Sequence, residues 1–521
     1  MKKVSNKQKE KKDVKVNKKK FFCLAIVWLF IFAIGMVKKE LQNDTFYTIK
    51  IGELILKNGI DMMDHFSFHS GLAYTYPHWL YDTLIYLIYS VFGFGGLYIS
   101  SIILFLILLF IVFKINVKIS DSYSVSAFAT GICALAISGF MTSRAQSVSY
   151  ILFALEIYFI EMFLKNGNKK NIIGLLIISL LICNVHVAVW PFYYILFLPY
   201  LAEGIISFLT QKIKIKKQNK FTEFLKNKFI VEDNSRIKYL LLIMGVSLLT
   251  GLLTPIGNTP YTYLIKTMLG NSQDYIQEHQ MMTWIESPFT IIIAGEVIFL
   301  SFFSRVKLRD LLLVIGLSFM SIMSLRHLSL LALIGTICFS RVFSMFLEMF
   351  SFDADKIVIG FLERKKWIQY ISFAVVIIFA ILMLIHQNKY DYIDKKTYPV
   401  DVLKYIKDNV DIDNARIFND YNFGSYLLLN DIPVFIDSRA DLYTKQFSGF
   451  DYDIFDDYMR IAGNYQEKFK FYGITHVLIY KEKNDLYEAI KIDPNYKKLY
   501  DDKYFAFYEK LADSSIIITY N

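Results

Sequence analysis

Cysteine is scarce in this sequence, with four residues among 521. All four lie inside apolar runs, at Cys23, Cys133, Cys183 and Cys338. A disulfide scaffold or a zinc site needs cysteines at short, paired spacings, and this distribution has none. The sequence therefore predicts no disulfide framework, no bound zinc and no redox chemistry.

The chemistries of common soluble enzymes lose support, because the sequence lacks a Walker loop, a dinucleotide fingerprint, a serine nucleophile elbow and an HExxH helix. The net charge of +10 is unevenly spread. Residues 387–521 hold 18 Lys and Arg against 23 Asp and Glu, a net charge of −5, so the remainder carries +15. Positive charge between apolar segments is typical of membrane topology, and no nucleic-acid partner is expected.

Long apolar runs are abundant. Hydrophobic residues make up 55% of the chain, aromatic residues 17%, and the mean hydropathy is +0.38. A membrane-spanning helix needs about 20 apolar residues. That criterion predicts an α-helical polytopic membrane protein with about 11 transmembrane helices. The predicted spans lie near 21–37, 95–115, 123–141, 147–164, 171–184, 187–209, 238–254, 289–304, 309–325, 328–347 and 367–386.

The loop charges predict the orientation. Residues 1–20 contain ten lysines and form a basic arm before the first span, which has no cleavage site after it and is expected to be retained. Alternate loops, among them KNGNKK, KIKIKKQNK and RVKLR, are basic and therefore cytoplasmic. The protein is then expected in the plasma membrane, with its amino terminus inside. The loop 38–94 and the tail 387–521 lie outside.

Two segments of this plan have a particular character. Trp79–Phe92 has helical periodicity and is interpreted as a helix on the outer surface that leads into the 95–115 span. The tail is acidic and follows the transmembrane domain 21–386. It predicts helices at Pro399–Asn409 and DLYEAI, and strands in ARIFND, PVFIDSR, THVLIY, KKLYDD and YFAFYEK, which together indicate an extracytoplasmic α/β domain.

The first outer loop holds the leading candidate residues. Asp44 follows the first span closely and could deprotonate an acceptor hydroxyl, although a solvated loop acid is an alternative. Asp61, Asp64 and His65 form D-x-x-D-H, which could hold a divalent cation or arise by chance. His78 is either a binding residue or an interfacial anchor.

Other outer helix ends carry polar groups suited to a phosphate. Arg144 with Gln146, and Arg326 with His327, could bind phosphate oxygens, although an arginine there could instead extend to lipid headgroups. His186 lies in a very tight turn and is expected to have a buried polar role. Glu278, in the loop 255–288, could line a cavity together with these residues, and a surface loop is an equally good interpretation. In the tail, Asp437, Arg439 and Asp441 form either an ion pair or a ligand site at a strand end.

The landmarks of the membrane part resemble those of GT-C fold glycosyltransferases. They are Asp44, the run GELILKNGID, DHFSF, PHWL and GFGG, then RAQS, NVH, TPIG and LRHL. The similarity is to a bacterial branch of that superfamily. It implies a sugar taken from a polyprenyl-phosphate or pyrophosphate carrier, with Asp44 as base or metal-linked residue and Asp64 as second choice. A divalent cation, Mg²⁺ or Mn²⁺, is the cofactor that it allows.

Three hypotheses for function follow. The first is a glycosyltransferase acting on a glycan, lipid or protein acceptor outside the membrane, and the second is a transporter or flippase for a lipid or solute. A transporter predicts mid-span charges and repeated halves. The mid-span regions are nearly free of charge apart from Glu156 and Glu296, and neither half of the sequence repeats the other, which favours the enzyme. The third hypothesis is a membrane scaffold for cell-envelope assembly.

Overall fold

The computed structural model describes residues 17–212, 228–232, 235–270, 288–482 and 484–511. Helices make up most of the described chain before residue 388. They are α1 (Lys18–Met36), α2 (Asn43–Asn58), α3 (Trp79–Ser120), α4 (Tyr123–Ile137), α5 (Ala145–Asn166), α6 (Lys169–Val185), α7 (Trp190–Lys212), α8 (Ile237–Leu248), α9 (Thr259–Leu269), α10 (Pro288–Phe303), α11 (Leu308–Met323), α12 (Leu328–Met349), α13 (Ala354–Arg364) and α14 (Lys366–Gln387).

The predicted polytopic helical architecture is confirmed. Each of the eleven predicted spans overlaps one of these helices. By length and composition, seven helical segments of the described chain are able to cross a membrane, and two shorter ones are apolar. The seven are Lys18–Met36, Trp79–Ser120, Tyr123–Phe140, Ala145–Asn166, Val187–Leu209, Leu325–Met349 and Lys366–Gln387.

Helix α3 contains the segment that was predicted to precede a span. Its backbone leaves helical geometry at Gly93, where φ is 59° and ψ is −157°. Glycine adopts this conformation without the steric cost that a β-carbon would add. Trp79–Phe92 is therefore a separate helical stretch that turns at Gly93 into the apolar part of α3, as expected from its periodicity.

The helices pack around α12. In the most apolar stretch of the segment containing it, 78% of the residues are buried, whereas the shares for the segments containing α1 and α14 are 17% and 11%. Large apolar side chains on α14 are correspondingly exposed, including Val375 at 61% and Leu382 at 58%. Lipid solvates apolar side chains, so this exposure is expected for helices at the edge of a bundle in a membrane.

A buried ion network joins four helices at the end of the bundle away from the tail. Arg309 Nε lies 3.0 Å from Glu161 Oε1, and Arg309 Nη1 lies 2.9 Å from Glu203 Oε2. Arg341 pairs with Glu161 and with Asp310, each at 2.9 Å. These five side chains are at most 8% exposed. Mutual pairing is what allows such charges to be buried.

The tail forms a small α/β unit. Its four strands are β3 (Ile417–Asn419), β4 (His476–Tyr480), β5 (Tyr496–Asp501) and β6 (Phe505–Lys510). They lie in the order β3, β4, β6, β5, and β3 pairs parallel with β4 whereas the other pairs are antiparallel. A separate pair of two-residue strands, β1 (Phe229–Ile230) and β2 (Val306–Lys307), lies within the helical part. The α-helices of the tail are α15 (Val400–Asn409), α16 (Tyr421–Leu429), α17 (Lys445–Ser448), α18 (Ile454–Met459), α19 (Ile461–Tyr472) and α20 (Asp485–Ile492).

One predicted strand of the tail was wrong. The run PVFIDSR does not join the four-stranded sheet. Val434 instead forms an isolated parallel bridge with Ser67 of the first loop. The Phe68 N–H donates to the Val434 carbonyl at 3.2 Å, and the Val434 N–H donates to the Phe66 carbonyl at 3.2 Å. The extended backbone of this run is used to attach the loop to the tail, which periodicity within one segment does not indicate.

Helices α2 and α16 hold the loop and the tail in close contact. Phe46 of α2 packs edge-on against Tyr398 and Tyr426, with ring centroids 5.0 and 5.4 Å away. The Asn43 side-chain amide donates to the Tyr421 carbonyl at 3.0 Å. The start of α2, which carries Asp44, is thereby fixed against the tail.

Candidate functional site

A cavity of about 910 Å³ opens where the first loop, the helix ends and the tail meet. Its wall is built from the start of α2, the end of the first loop, the starts of α5 and α12, and the segments 421–422 and 438–442 of the tail. Seven of the ten residues proposed from sequence line it, and they are Asp44, His78, Arg144, Gln146, His186, Arg326 and His327.

Asp44 and Arg144 form an ion pair on this wall. The distance from Arg144 Nη2 to Asp44 Oδ2 is 2.6 Å, and the two side chains are 24% and 23% exposed. Asp44 lies in the first turn of α2, where the helix dipole favours a carboxylate. Thr45 Oγ1 donates to the Ser143 carbonyl at 3.3 Å and holds the two chain segments together. The carboxylate is therefore fixed in position but still reaches the cavity.

His78 and His186 form a pair of neutral imidazoles beside it. Their ring centroids are 4.9 Å apart, and His186 Nδ1 lies 3.0 Å from Ser149 Oγ. Loss of contact with bulk water lowers the pKa of His78 to about 3, and the charges of Arg144 and Arg326 act in the same direction. Burial, His78 and both arginines likewise lower the pKa of His186. Each ring can therefore donate one hydrogen bond and accept one at neutral pH.

Arg326 and His327 approach from another part of the fold. They lie in a short 3-10 helix, Leu325–His327, that joins α11 to α12. The His327 ring packs against Phe192, with centroids 5.0 Å apart. Two arginines from different helix ends thus face one cavity. A guanidinium group can donate two parallel hydrogen bonds to the oxygens of one phosphate.

Asp64 does not line the cavity. Its side chain is fully buried and accepts hydrogen bonds from Arg439 Nη1 at 2.7 Å and Ser67 Oγ at 2.6 Å. Burial opposes ionisation, but Arg439 and Ser67 outweigh it and hold the pKa of Asp64 below its usual value. Arg439, which Asp64 holds, does line the cavity. Asp64 therefore reaches the cavity only through its contact with Arg439, and a catalytic role for Asp64 stays a prediction.

His65 also lies outside the cavity wall, because its Nε2 contacts Asp61 Oδ2 at 2.7 Å on the exposed surface of the loop. The D-x-x-D-H carboxylates therefore point to different partners. In the described ranges, no three His, Cys, Asp or Glu side chains are grouped so as to hold a metal ion. Glu278 lies outside the described residues, and the divalent cation stays a prediction.

The tail contributes wall residues that sequence analysis did not assign to this site. Arg439 and Asp441 were noted only as an ion pair or strand-end site. Tyr263 OH donates to Asp441 Oδ2 at 2.5 Å, and Tyr421 OH donates to the Ser438 carbonyl at 3.2 Å. The high density of polar residues in segment 417–443 was the feature of the sequence that could have indicated a contribution to the site. Its contact with the first loop could not be seen, since the two are distant in sequence.

The comparisons with known proteins support the fold. No protein-family model matches the sequence, and no curated protein matches it. Solved structures of the oligosaccharyltransferase of Archaeoglobus fulgidus do match in fold. The apo form superposes with a TM-score of 0.57 at 10% identity, over 89% of this chain and 69% of that one.

Two further structures of that enzyme agree. The form tethered through a disulfide bond to an acceptor peptide containing the NVT sequon gives a TM-score of 0.56 at 10% identity, with the same coverage. The complex with Zn and sulfate gives 0.52 at 10% identity, over 94% of this chain and 73% of that one. At this identity the likeness concerns the fold alone, and it confirms the expected GT-C-like fold.

Proposed function

We propose that this protein is a membrane glycosyltransferase that transfers a sugar from a polyprenyl-phosphate-linked donor to an acceptor on the extracytoplasmic side of the plasma membrane. The observation that carries the proposal is a single cavity in which the Asp44 carboxylate faces Arg144, Arg326 and two neutral imidazoles. The fold it shares with an oligosaccharyltransferase supports the same class of reaction.

Each charged group has a role in such a transfer. Asp44 accepts the proton of the acceptor hydroxyl as that oxygen attacks the anomeric carbon of the donor sugar. The bond from that carbon to the phosphate oxygen breaks, and the carrier phosphate leaves with the bonding electrons. Arg144 and Arg326 stabilise the negative charge that develops on the leaving phosphate.

The Asp44–Arg144 ion pair links donor binding to this step. A phosphate that contacts Arg144 competes with Asp44 for the same guanidinium group, whose 2.6 Å contact to Asp44 is direct. Donor binding therefore frees one oxygen of Asp44 for the acceptor. His78 and His186, being neutral, can hydrogen-bond to phosphate or sugar oxygens without adding fixed charge.

The proposal is tested with purified protein in vesicles that contain radiolabelled polyprenyl-phosphate sugars. We expect wild type to release the carrier phosphate, and Asp44→Asn to lose at least about a hundredfold in kcat because the base is removed. Arg144→Gln and Arg326→Gln are expected to lower kcat, because each removes charge stabilisation from the leaving phosphate, and to raise the KM for the donor.

Asp61→Asn is the matched control, since Asp61 is a carboxylate of the same loop that pairs with His65 outside the cavity. It should transfer sugar like wild type. Transfer by Asp44→Asn at the wild-type rate would refute the role of Asp44. Failure of wild type to consume any donor from a panel of carriers and sugars would refute the glycosyltransferase.

A further inference from the structure

A second cavity lies at the other end of the bundle, where α1 and α14 begin. It has a volume of about 250 Å³ and runs between α1, α13 and α14 over a floor formed by Ala127 of α4. Its mouth carries the polar side chains of Lys20, Glu363 and Gln369. Its walls are apolar and include Phe21, Leu24, Trp28, Ile359, Leu362 and Phe373. We refer to it as the α1–α14 groove.

The groove results from the way the two helices approach each other. At their far ends a β-carbon on Gly35 would lie 3.1 Å from Ala380 Cα, and the rings of Phe32 and Phe379 stack with centroids 5.2 Å apart. Near Lys20 the helices leave a space that α13 does not fill. From Lys20 to Leu29 this space follows about 14 Å of helix.

The mouth of the groove is strongly basic. Segments 18–20 and 353–366 together hold seven basic and three acidic residues, a net charge of +4. One base, Lys18, already pairs with the buried Asp355 at 2.9 Å. The acid at the mouth, Glu363, accepts a hydrogen bond from the Asn17 N–H at 3.0 Å. Lys20 lines the groove itself.

The surface around the mouth has the composition of a membrane interface. Ile357 and Phe361 of α13 are 46% and 44% exposed, and Trp367 and Tyr370 at the start of α14 are 59% and 73% exposed. An amphipathic helix beside exposed Trp and Tyr is typical of the boundary between headgroups and acyl chains. The groove therefore opens where a phospholipid places its phosphate above its acyl chains.

We propose that the α1–α14 groove binds an anionic glycerophospholipid, with one acyl chain along the apolar walls and the headgroup phosphate against Lys20. An acyl chain gains little free energy on moving from the bilayer into an apolar groove. The apolar walls therefore accept a chain that fits their shape but do not distinguish an anionic lipid from a neutral one. The excess of basic residues supplies the preference for an anionic headgroup.

Fluorescence of Trp28, which lines the groove, reports the occupant directly. The full chain is placed in vesicles of equal parts phosphatidylcholine and phosphatidylglycerol, with bromine on the acyl chains of one lipid or of the other. The Trp28→Phe protein gives the signal of the remaining tryptophans, which is subtracted. We expect brominated phosphatidylglycerol to quench Trp28 more strongly than brominated phosphatidylcholine does.

Two variants separate groove binding from general attraction to the surface. Lys20→Glu should lower the preference for phosphatidylglycerol by at least about fivefold. Lys19→Glu makes the same charge change one residue away, outside the groove lining, and this variant should keep most of the preference for phosphatidylglycerol. Ala127→Phe, which fills the floor, should reduce quenching by both lipids. Equal quenching by the two lipids, or equal effects of the two lysine variants, would overturn the proposal.

Discussion

At the scale of single residues, the position of a carboxylate decides what it can do. Asp44 and Asp64 both belong to the first loop region, yet Asp44 is about a quarter exposed toward a cavity and Asp64 is fully enclosed. A base must reach the proton that it removes. Asp64 already accepts bonds from Arg439 and Ser67, so its contribution is to hold Arg439 in the cavity wall.

His69 offers a prediction at this scale. Its Nε2–H donates to the Phe435 carbonyl at 2.8 Å, and burial lowers the pKa of His69 to about 4. Between pH 6.5 and pH 4, His69 is protonated in the unfolded chain but stays neutral in the folded state. The free energy of unfolding should therefore fall from pH 6.5 toward pH 4, by at most about 1.4 kcal/mol per pH unit.

The measurement compares wild type with His69→Gln, which can keep a donor near Phe435 but does not titrate. Apparent melting temperatures in detergent are recorded from pH 7 downward. The difference between the two proteins should shift in favour of His69→Gln as the pH falls. A difference between the two proteins that does not change with pH would contradict the explanation.

At the scale of elements, Gly424 and Gly52 allow helices α16 and α2, which flank the cavity, to pack closely against neighbouring backbone. A β-carbon on Gly424 of α16 would overlap the Ile436 carbonyl oxygen and crowd Asp437 Cα. One on Gly52 of α2 would overlap the Asp82 carbonyl oxygen. Backbone atoms cannot move aside as a flexible side chain can, so larger residues at either position must displace a whole segment.

Gly424→Ala is therefore expected to destabilise the protein by about 1–3 kcal/mol or more. Gly463→Ala is the control in the same part of the chain, since a β-carbon there has no neighbour within 4 Å. That change should be neutral or slightly stabilising, because alanine favours helix over glycine. Equal melting temperatures for the two variants would show that the contact at Gly424 is not tight.

The buried ion network gives a second prediction for the elements. Arg341→Leu leaves the Asp310 carboxylate, 3% exposed, without the guanidinium that now lies 2.9 Å away. Breaking one member of a buried pair costs about 3–5 kcal/mol, whereas replacing both members by apolar groups can be neutral. The double variant Arg341→Leu with Asp310→Leu should recover most of the lost melting temperature. A double variant as unstable as the single one would contradict this account.

At the scale of the whole molecule, the first loop and the tail behave as one unit. The side chains of Asp64 and Arg439 meet although they are 375 positions apart. Arg439 also pairs with Asp437, and the Ala73 N–H donates to the Ser448 carbonyl at 3.1 Å. The cavity wall combines residues from both, so its shape depends on their contact.

Arg439→Gln should destabilise the first loop and the tail together. We expect amide hydrogen exchange to increase in the loop residues 61–75 and in the tail residues 432–448, because their backbone bonds join the two segments. Arg460→Gln disturbs an ion pair in which Arg460 is 70% exposed and should change neither segment. Faster exchange in the tail alone would show that the two segments open independently.

Much of this protein follows from its sequence alone. Apolar runs of membrane-spanning length, and the turn and strand patterns of the tail, are local properties, and a helix or strand forms mainly from its own residues. Spans as short as 171–184 and strands such as His476–Tyr480 were predicted for this reason. Polar residues at helix ends, such as Arg144 and Arg326, stood out against their apolar surroundings.

Only the tertiary structure decided which of these residues share a site. Asp44 and Asp64 are both carboxylates of the first outer loop, and the run PVFIDSR has the pattern of a sheet strand. The docking of the tail on the first loop encloses Asp64, turns Val434 toward Ser67 and brings Asp441 to the cavity of Asp44. Such contacts join residues hundreds of positions apart, and the energy of packing that selects them is not contained in any single segment.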